Sequence, residues 1–240
     1  MNIVITGGAS GLGEAITHKL AGEKDNKVIF TYSKSKAEAE VLEKKYINVR
    51  AIKCDFTIPV EVEALKGMFS IFDIDVLVNN AYTGGFLKTY FHKLDSADFL
   101  KDFINNIIPT VIINQEAINC FRKKKSGKII TILTSALLDV PPVGSSIYVA
   151  NKAYLEELTK IWATENAKYN ITSNSVSPSF MLTNLTSGMD ERVIEQIIEN
   201  HPLKKLLTVD EVADTVEYFT KSGTQINGVN IVLNSGIHLK

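Results

Sequence analysis

The stretch that decides the fold is Asn2-Ile-Val-Ile-Thr6-Gly7-Gly-Ala-Ser-Gly11-Leu-Gly13, at the start of the chain. A short apolar strand leads directly into a glycine-rich turn, and a helical pattern opens at Gly11. Glycine permits a tight turn and lets the backbone approach a pyrophosphate, whose charge then faces the helix N-terminus. The stretch therefore predicts the first βαβ unit of a phosphate-binding fold. A plain strand-to-helix turn is the alternative.

Apolar runs alternate with helical patterns along the rest of the chain. We predict strands at 2–6, 27–32, 48–53, 75–79, 128–134, 171–177 and 229–233, and helices at 11–22, 36–46, 59–69, 96–105, 107–122, 146–169, 189–199 and 209–220. Most strands are continuous Val/Ile/Leu runs, as expected for strands covered on both faces. The alternation predicts an α/β, Rossmann-type, doubly wound parallel seven-stranded sheet with helices on both faces. Because the sheet needs the last strand as well as the first, we predict one domain over residues 1–240.

The composition of the 240 residues is that of an ordinary globular protein, with 45% hydrophobic and 22% charged residues. A net charge of −1 argues against nucleic acid or an anionic membrane as the main partner. The N-terminus has no basic segment typical of a signal peptide, and no apolar run approaches the ~20 residues of a membrane span. Two cysteines, Cys54 and Cys120, are interpreted as buried free thiols, which favours the cytoplasm. The four histidines show no metal-ligand spacing, so no metal site is predicted.

Tyr148 and Lys152 form the most informative pair of side chains. Residues i and i+4 share one face of a helix, so the Lys152 ammonium is expected to lower the pKa of the Tyr148 phenol from about 10. Such a phenol exchanges a proton with a substrate oxygen near neutral pH. Ser135, thirteen residues before Tyr148, is expected to hold that oxygen. The alternative is a surface aromatic residue beside a solvated lysine. A second copy of the spacing, Tyr32 and Lys36, is interpreted as a coincidence.

The end of the second strand bears on the choice between NAD and NADP. NAD-binding proteins place an acidic residue about 20 residues past the glycines, where it binds the ribose 2′-hydroxyl. Here the sequence offers Ser33, Lys34 and Lys36 but no carboxylate. We therefore expect NADP(H) to be favoured over NAD(H). The alternative is that both lysines are solvated residues at a helix start.

Together these residues resemble the short-chain dehydrogenase/reductase family, over nearly the whole chain. The family's glycine motif is matched by residues 6–13, its adenine-binding Asp by Asp55, and its mid-helix Asn by Asn106. Its Asn-Asn-Ala-Gly motif appears as Asn79-Asn80-Ala81-Tyr82, and its Pro-Gly turn as Pro178-Ser179, followed by Thr183. The closing segment 228–236 is similar to the family's C-terminal strand.

The resemblance implies two sets of site residues. The implied catalytic residues are Asn106, Ser135, Tyr148 and Lys152. The implied cofactor-binding residues are Gly7, Ala9, Ser10, Gly11, Leu12, Gly13, Ser33, Lys34, Asp55, Phe56, Asn79, Asn80, Ala81, Tyr148, Lys152, Pro178, Phe180 and Thr183.

Several positions depart from the family pattern. Tyr82 and Ser179 stand where the family has glycine, and Asn234-Ser235 stands where Asp-Gly is usual. Thr134 is an alternative to Ser135, because the strand that leads to them is one residue longer than the commonest spacing. The distance to Tyr148 favours Ser135.

The resemblance implies an oxidoreductase that reduces a ketone to a secondary alcohol with NADP(H), with Tyr148 as the proton donor. It is closest in character to 3-oxoacyl-[acyl-carrier-protein] reductases, and a reductase of a sugar or another small ketone is the alternative. The cluster Lys123-Lys124-Lys125 either steers an acidic carrier protein or is a solvated helix end. Segment 183–202 is expected to cover the pocket. The apolar helix 107–122 and the helix 146–169 predict a homodimer or homotetramer.

Two other classes of protein use similar motifs. Nucleotide-sugar epimerases and dehydratases share the Tyr/Lys pair, but they are typically longer and carry a different glycine spacing. A non-catalytic cofactor-sensing protein is expected to have lost one of the four active-site residues, all of which are present here.

Overall fold

The protein is built around one parallel β-sheet. The computed structural model describes residues 1–85, 89–138, 140–183, 186 and 188–237. The strands run in the order β3-β2-β1-β4-β5-β6-β7. Their bounds are β1 Asn2–Ile5, β2 Lys27–Tyr32, β3 Val49–Lys53, β4 Val76–Asn79, β5 Gly127–Ile132, β6 Ile171–Pro178 and β7 Asn230–Leu233. Each predicted strand is present within two residues of its predicted bounds. The predicted fold class is confirmed.

At least one helix lies between each pair of consecutive strands along the chain, as parallel pairing requires. The helices are α1 Gly11–Ala21, α2 Lys36–Lys45, α3 Pro59–Phe72, α4 Ser96–Lys124, α5 Ser146–Asn166, α6 Glu191–Asn200 and α7 Val209–Lys221, with 3₁₀ turns at Phe91–Lys93, Ser135–Leu137 and Ala167–Tyr169. Pro59 opens α3, where its missing N–H is not needed. Thr208 and Glu211 form a capping box at the start of α7.

Two apolar layers cover the faces of the sheet. On one face α1 and α7 pack through residues such as Ile16, Leu20 and Phe219. On the other face α3 and α4 pack through Phe69 and Phe121. Because all seven strands are parallel, their carboxyl ends meet at one edge, where the loops build a site.

Helix α4 differs from the prediction of two helices, 96–105 and 107–122. It runs unbroken from Ser96 to Lys124 and contains Pro109. The proline ring suits a helical φ, but a proline inside a helix removes one backbone hydrogen bond and crowds the carbonyl four residues earlier. The Asn106 side chain donates to the Asp102 carbonyl one turn earlier (3.1 Å), and Ile107 and Pro109 are both buried. Tertiary packing therefore carries the helix through the proline.

The two cysteines are free, but only Cys54 is buried. Burial raises the pKa of the Cys54 thiol to about 12, so it stays an unreactive thiol. Cys120 is half-buried on α4, which corrects the prediction for that residue. Within the described residues, no helix combines the length and apolarity that crossing a membrane requires.

Candidate active site

The glycine turn between β1 and α1 forms the floor of the site. Gly7 and Gly11 have φ values of +66° and +56°, in the left-handed region that favours glycine. The turn is tied to β2, because the Gly7 N–H donates to Thr31 Oγ1 and the Gly8 N–H donates to the Thr31 carbonyl, both at 2.9 Å. The backbone thus lies open towards the cavity above it.

Asn80 locks this turn to the end of β4. Its Nδ2 donates to the Thr6 carbonyl (3.0 Å) and to the Gly7 carbonyl (2.9 Å). In return, Thr6 Oγ1 accepts from the backbone N–H groups of Asn80 and Ala81, both at 3.0 Å. The Asn-Asn-Ala segment therefore fixes the shape of the turn as well as lining the site.

A single cavity of about 690 Å³ joins this turn to the ends of β4, β5 and β6. It brings together all but four of the predicted site residues. Those that line it are Gly7, Ala9, Ser10, Gly11, Leu12, Gly13, Ser33, Phe56, Asn80, Ala81, Ser135, Tyr148, Lys152, Pro178, Phe180 and Thr183. The Rossmann-type turn and the Tyr/Lys pair thus share one space.

The four remaining residues lie behind or beside the cavity wall. Asn79 is buried and exchanges two 3.0 Å hydrogen bonds with Asn114. Asn106 is buried, and its Oδ1 accepts from the Thr83 N–H at 2.6 Å. Lys34 is exposed, and Asp55 accepts hydrogen bonds from Thr57. These hydrogen bonds, and to a smaller extent the Lys34 charge, lower the pKa of Asp55.

Tyr148 and Lys152 lie side by side, but their electrostatics differ from the prediction. Burial raises the pKa of Tyr148 to about 12, although a hydrogen bond with Thr134 opposes the rise. Lys152 is 4% exposed, and burial lowers the pKa of its ammonium to about 8. Its Nζ donates to the Ile132 carbonyl (2.7 Å) and stands 5.8 Å from the centre of the Tyr148 ring. The expected lowering of the Tyr148 pKa is therefore absent in this structure, because desolvation dominates.

Two neighbouring residues, Thr134 and Ser135, each bring a hydroxyl group to the cavity that contains Tyr148. The Thr134 hydroxyl partly offsets the effect of burial on the pKa of the phenol, and Thr134 Oγ1 accepts from the Ala136 N–H (3.3 Å). Ser135 opens the 3₁₀ turn that follows. Both hydroxyls therefore remain candidates for orienting a substrate oxygen beside Tyr148.

The end of β2 reaches the cavity through small hydroxyl side chains. Ser33 and Ser35 line it, whereas Lys36 lies within 3.7 Å of Glu40 on the exposed face of α2. Lys34 lies between these two serines and, among the described residues, forms no ion pair within 4.0 Å.

Sequence reasoning missed a polar cluster behind Tyr148. Asp102 Oδ1 accepts from Tyr82 Oη (2.8 Å), Asn106 Nδ2 (3.1 Å) and Asn151 Nδ2 (2.7 Å). One signal was available, since Asp102 stands one helical turn before Asn106 and Asn151 directly precedes Lys152.

The outer part of the cavity has mostly apolar walls. These come from Val140, Pro142, Met181, Met189, Val193 and Ile197. The last two lie on α6, none of whose residues is buried. The described part of segment 183–202 therefore contributes side chains to the cavity wall, and its role as a cover stays a prediction. Residues 184, 185 and 187 lie outside the described residues.

The fold and the cavity together define a dinucleotide-binding α/β protein, and comparisons with known proteins give the family. A family profile described as enoyl-(acyl carrier protein) reductase matches residues 7–238. The 3-oxoacyl-[acyl-carrier-protein] reductase FabG of Staphylococcus epidermidis is 32% identical over 98% of this chain and 98% of its own. FabG of Aquifex aeolicus is 30% identical over 98% of this chain and 96% of its own. The chain belongs to the short-chain dehydrogenase/reductase family and is an oxidoreductase.

Solved structures agree with this assignment. A short-chain dehydrogenase/reductase family protein superposes with a TM-score of 0.86 at 26% identity, covering 98% of this chain and 96% of its own. The 3-ketoacyl-(acyl-carrier-protein) reductase of Brucella melitensis, solved with NADH, superposes with a TM-score of 0.88 at 22% identity, covering 99% and 98% of the two chains. This second likeness bears on the fold alone.

Proposed function

We propose that this oxidoreductase reduces a ketone to a secondary alcohol with NADP(H), most closely in the manner of a 3-oxoacyl-[acyl-carrier-protein] reductase. The observation that carries the proposal is the shared cavity, which has the glycine turn at one end and Tyr148 with Lys152 at the other. The names of the two FabG relatives support the substrate class. Reduction of a sugar or another small ketone is the alternative.

The residues present fit a dinucleotide. The open backbone of the glycine turn adjoins the cavity, and Gly13 has no room for a side chain, so the turn keeps its close approach. We assign cofactor binding to the turn, to Ser33, and to Thr183 and Lys152 further along the cavity. When bound, the nicotinamide would supply the hydride.

Tyr148 is proposed as the proton donor. Its raised pKa keeps the phenol protonated at neutral pH, which is the state that a donor to the ketone oxygen needs. Lys152 is proposed to hold the ribose and to place a positive charge near the oxygen. Asn106 is proposed to support the proton path. Its side chain is held in one orientation because its Oδ1 accepts a hydrogen bond from the Thr83 N–H.

The substrate class is tested by a reductase panel. Acetoacetyl thioesters, free ketones and sugars are offered with NADPH and with NADH, and kcat/KM is measured for each. Apolar outer walls favour the thioesters, because an acyl chain buries apolar surface there. Turnover of sugars alone would replace the leading proposal by the alternative.

A hydroxyl of the pair Thr134 and Ser135 is proposed to orient the ketone oxygen. The hydrogen bond with Tyr148 favours Thr134, and the sequence spacing favours Ser135. We expect Thr134→Ala to lower kcat by more than about tenfold and Ser135→Ala by much less, since one hydrogen bond to a developing charge contributes about 1.5–3 kcal/mol. The reverse order would restore Ser135 as the orienting residue.

The cofactor preference is proposed to be NADPH over NADH. Ser33→Asp would place a carboxylate in the cavity wall where a 2′-phosphate is expected, and should lower the ratio of kcat/KM for NADPH over NADH by at least about tenfold through like-charge repulsion. Ser70→Asp, on the exposed face of α3, is the matched control. A wild-type enzyme that prefers NADH would contradict the proposal.

A carrier protein is proposed as partner from the relatives' names alone. The lysine cluster does not add support. It lies at the C-terminal end of α4, at the sheet edge opposite the cavity, and Lys124 pairs with Asp73 (3.2 Å) and Asp75 (2.5 Å). The cytoplasm also stays a prediction, for which two cysteines without a disulfide are the support.

A homodimer or homotetramer is proposed from apolar side chains that α4 and α5 leave exposed. Leu100, Ile104 and Ile108 on α4 and Ile161 on α5 are each at least 40% exposed. A second copy would bury them. Light scattering at micromolar concentration should give a multiple of the 26.5 kDa chain mass. A mass of one chain, unchanged by cofactor, would refute the proposal.

A further inference from the structure

Tyr82 brings an aromatic side chain to a position where the family has glycine. Its ring stands edge-on to the Tyr148 ring, with centroids 5.1 Å apart and an interplanar angle of 83°. Lys152 Nζ lies 5.3 Å from the centre of the same Tyr82 ring. This distance is within the range in which a cation is attracted to an aromatic face. One side chain thus contacts both members of the catalytic pair.

The far end of Tyr82 is fixed by Asp102. The phenol donates to Asp102 Oδ1 at 2.8 Å, and Asn151 donates to the same oxygen at 2.7 Å. Asn151 is buried and adjoins Lys152 on α5. Asp102 therefore connects α4 to α5 and holds the Tyr82 ring in a defined orientation. Burial and the bond to Asp102 both raise the pKa of Tyr82, so its phenol remains a donor.

The arrangement matters because Lys152 is a buried cation. The ionisable groups that face it, in the described part of the chain, are Tyr148 from its own helix, Tyr82 from the loop after β4 and, behind Tyr82, Asp102 from α4. The end of β5 adds the uncharged Ile132 carbonyl. A phenol that donates to a carboxylate gains electron density in its ring, since linked hydrogen bonds polarise one another. The ring face then attracts the ammonium more strongly.

We propose that Tyr82 is a positioning residue. Its hydrogen bond to Asp102 polarises its ring, and the ring keeps the Lys152 ammonium charged and in place. The catalytic consequence rests on the proposed function, whereas the effect of Asp102 and Tyr82 on the charge of Lys152, called the relay below, does not. Burial favours the neutral amine, and the Tyr82 ring opposes that effect. Lys152 thereby holds its charge to a higher pH than burial alone would allow.

The direct test measures the ionisation of Lys152 without substrate or cofactor. The protein is labelled with trace acetic anhydride from pH 6 to 10, and the extent of Lys152 acetylation is read by mass spectrometry. Only the neutral amine reacts, so the pH profile gives its pKa. We expect Tyr82→Leu to lower that pKa by about one unit, as the loss of a desolvated cation–π contact implies. Tyr82→Phe and Asp102→Asn should give smaller shifts in the same direction.

Tyr154→Leu is the matched control, because this tyrosine lies on α5 but packs against Phe103. Its Lys152 profile should equal that of the wild type. Identical profiles for Tyr82→Leu and wild type, or an equal shift in the control, would overturn the proposal. If Tyr82→Leu fails to fold, Tyr82→Phe and Asp102→Asn decide: a lowered pKa in both supports the relay, and no shift in either overturns it.

Kinetics separate this inference from the proposed function. For an active enzyme, kcat/KM should fall as pH rises through the Lys152 pKa, and the fall should begin at lower pH in Tyr82→Leu by the shift that labelling measures. A labelling shift in a protein that reduces no ketone contradicts the proposed function alone. If the enzyme reduces ketones but Tyr82→Leu leaves the pKa of Lys152 unchanged, the relay alone is contradicted.

Discussion

Replacing Tyr148 by phenylalanine should lower kcat by about 10²–10⁴-fold while the dissociation constant for NADPH stays within about twofold. The change removes only the phenolic oxygen, which is the proposed proton donor. The ring remains, and with it the edge-on contact with Tyr82. The floor of the cavity, where the cofactor is proposed to bind, is built from the glycine turn and Asn80, which do not depend on that oxygen. Single-turnover reduction and fluorescence titration of NADPH measure the two quantities separately.

The control for this change is Tyr154→Phe, on the same helix but half-exposed and packed on Phe103. It should keep wild-type kcat. A Tyr148→Phe enzyme with near wild-type turnover would remove the phenol from the mechanism. A loss of NADPH binding of the same size as the loss of kcat would instead show that the phenol acts in binding.

The fold was predictable because its signals are local. Most of the parallel strands are short apolar runs bounded by glycine, proline or polar residues, whereas β6 is buried although it is rich in Ser, Thr and Asn. The glycine turn at 6–13 can be recognised from its own residues, because glycine is favoured wherever the backbone takes a positive φ or approaches a ligand closely. Strand and helix positions followed from these signals with small errors. The break predicted at residue 106 was wrong, because α4 runs unbroken through that position and through Pro109, and the burial of Ile107 and Pro109 is not visible in a local pattern.

Most of the predicted site residues line one cavity, but the electrostatics of that cavity were not predictable from the sequence. The spacing placed Lys152 beside Tyr148, yet the pKa of the phenol depends on how deeply the assembled loops bury it. The Asp102 cluster joins Tyr82, Asn106 and Asn151 from three separate segments. Its hydrogen bonds exist only once α4, α5 and the β4 loop meet. The choice between Thr134 and Ser135 likewise depends on where β5 ends relative to α5.

The second large effect is expected from Gly13→Ala. A Cβ built on Gly13 would lie 1.9 Å from the Gly7 carbonyl oxygen and 2.6 Å from Asn80 Nδ2. That carbonyl already accepts from Asn80 at 2.9 Å, so neither neighbour can move without opening the turn. We expect overpacking to destabilise the fold by about 1–3 kcal/mol, lowering Tm by several degrees. NADPH affinity should fall by roughly ten- to a hundred-fold or more, as for the loss of a charge-assisted hydrogen bond.

Gly67→Ala makes the same change where the structure leaves room, and it decides whether the Gly13 effect is specific. Gly67 lies in α3, and a Cβ there has no heavy atom within 4 Å. Because glycine costs a helix about 0.5–1 kcal/mol relative to alanine, this variant should be slightly more stable than wild type, with unchanged NADPH binding. Thermal melts and fluorescence titrations compare the two. A Gly13→Ala protein that binds NADPH as the wild type does would show that the turn relaxes, and that close backbone approach at Gly13 is not what binds the cofactor.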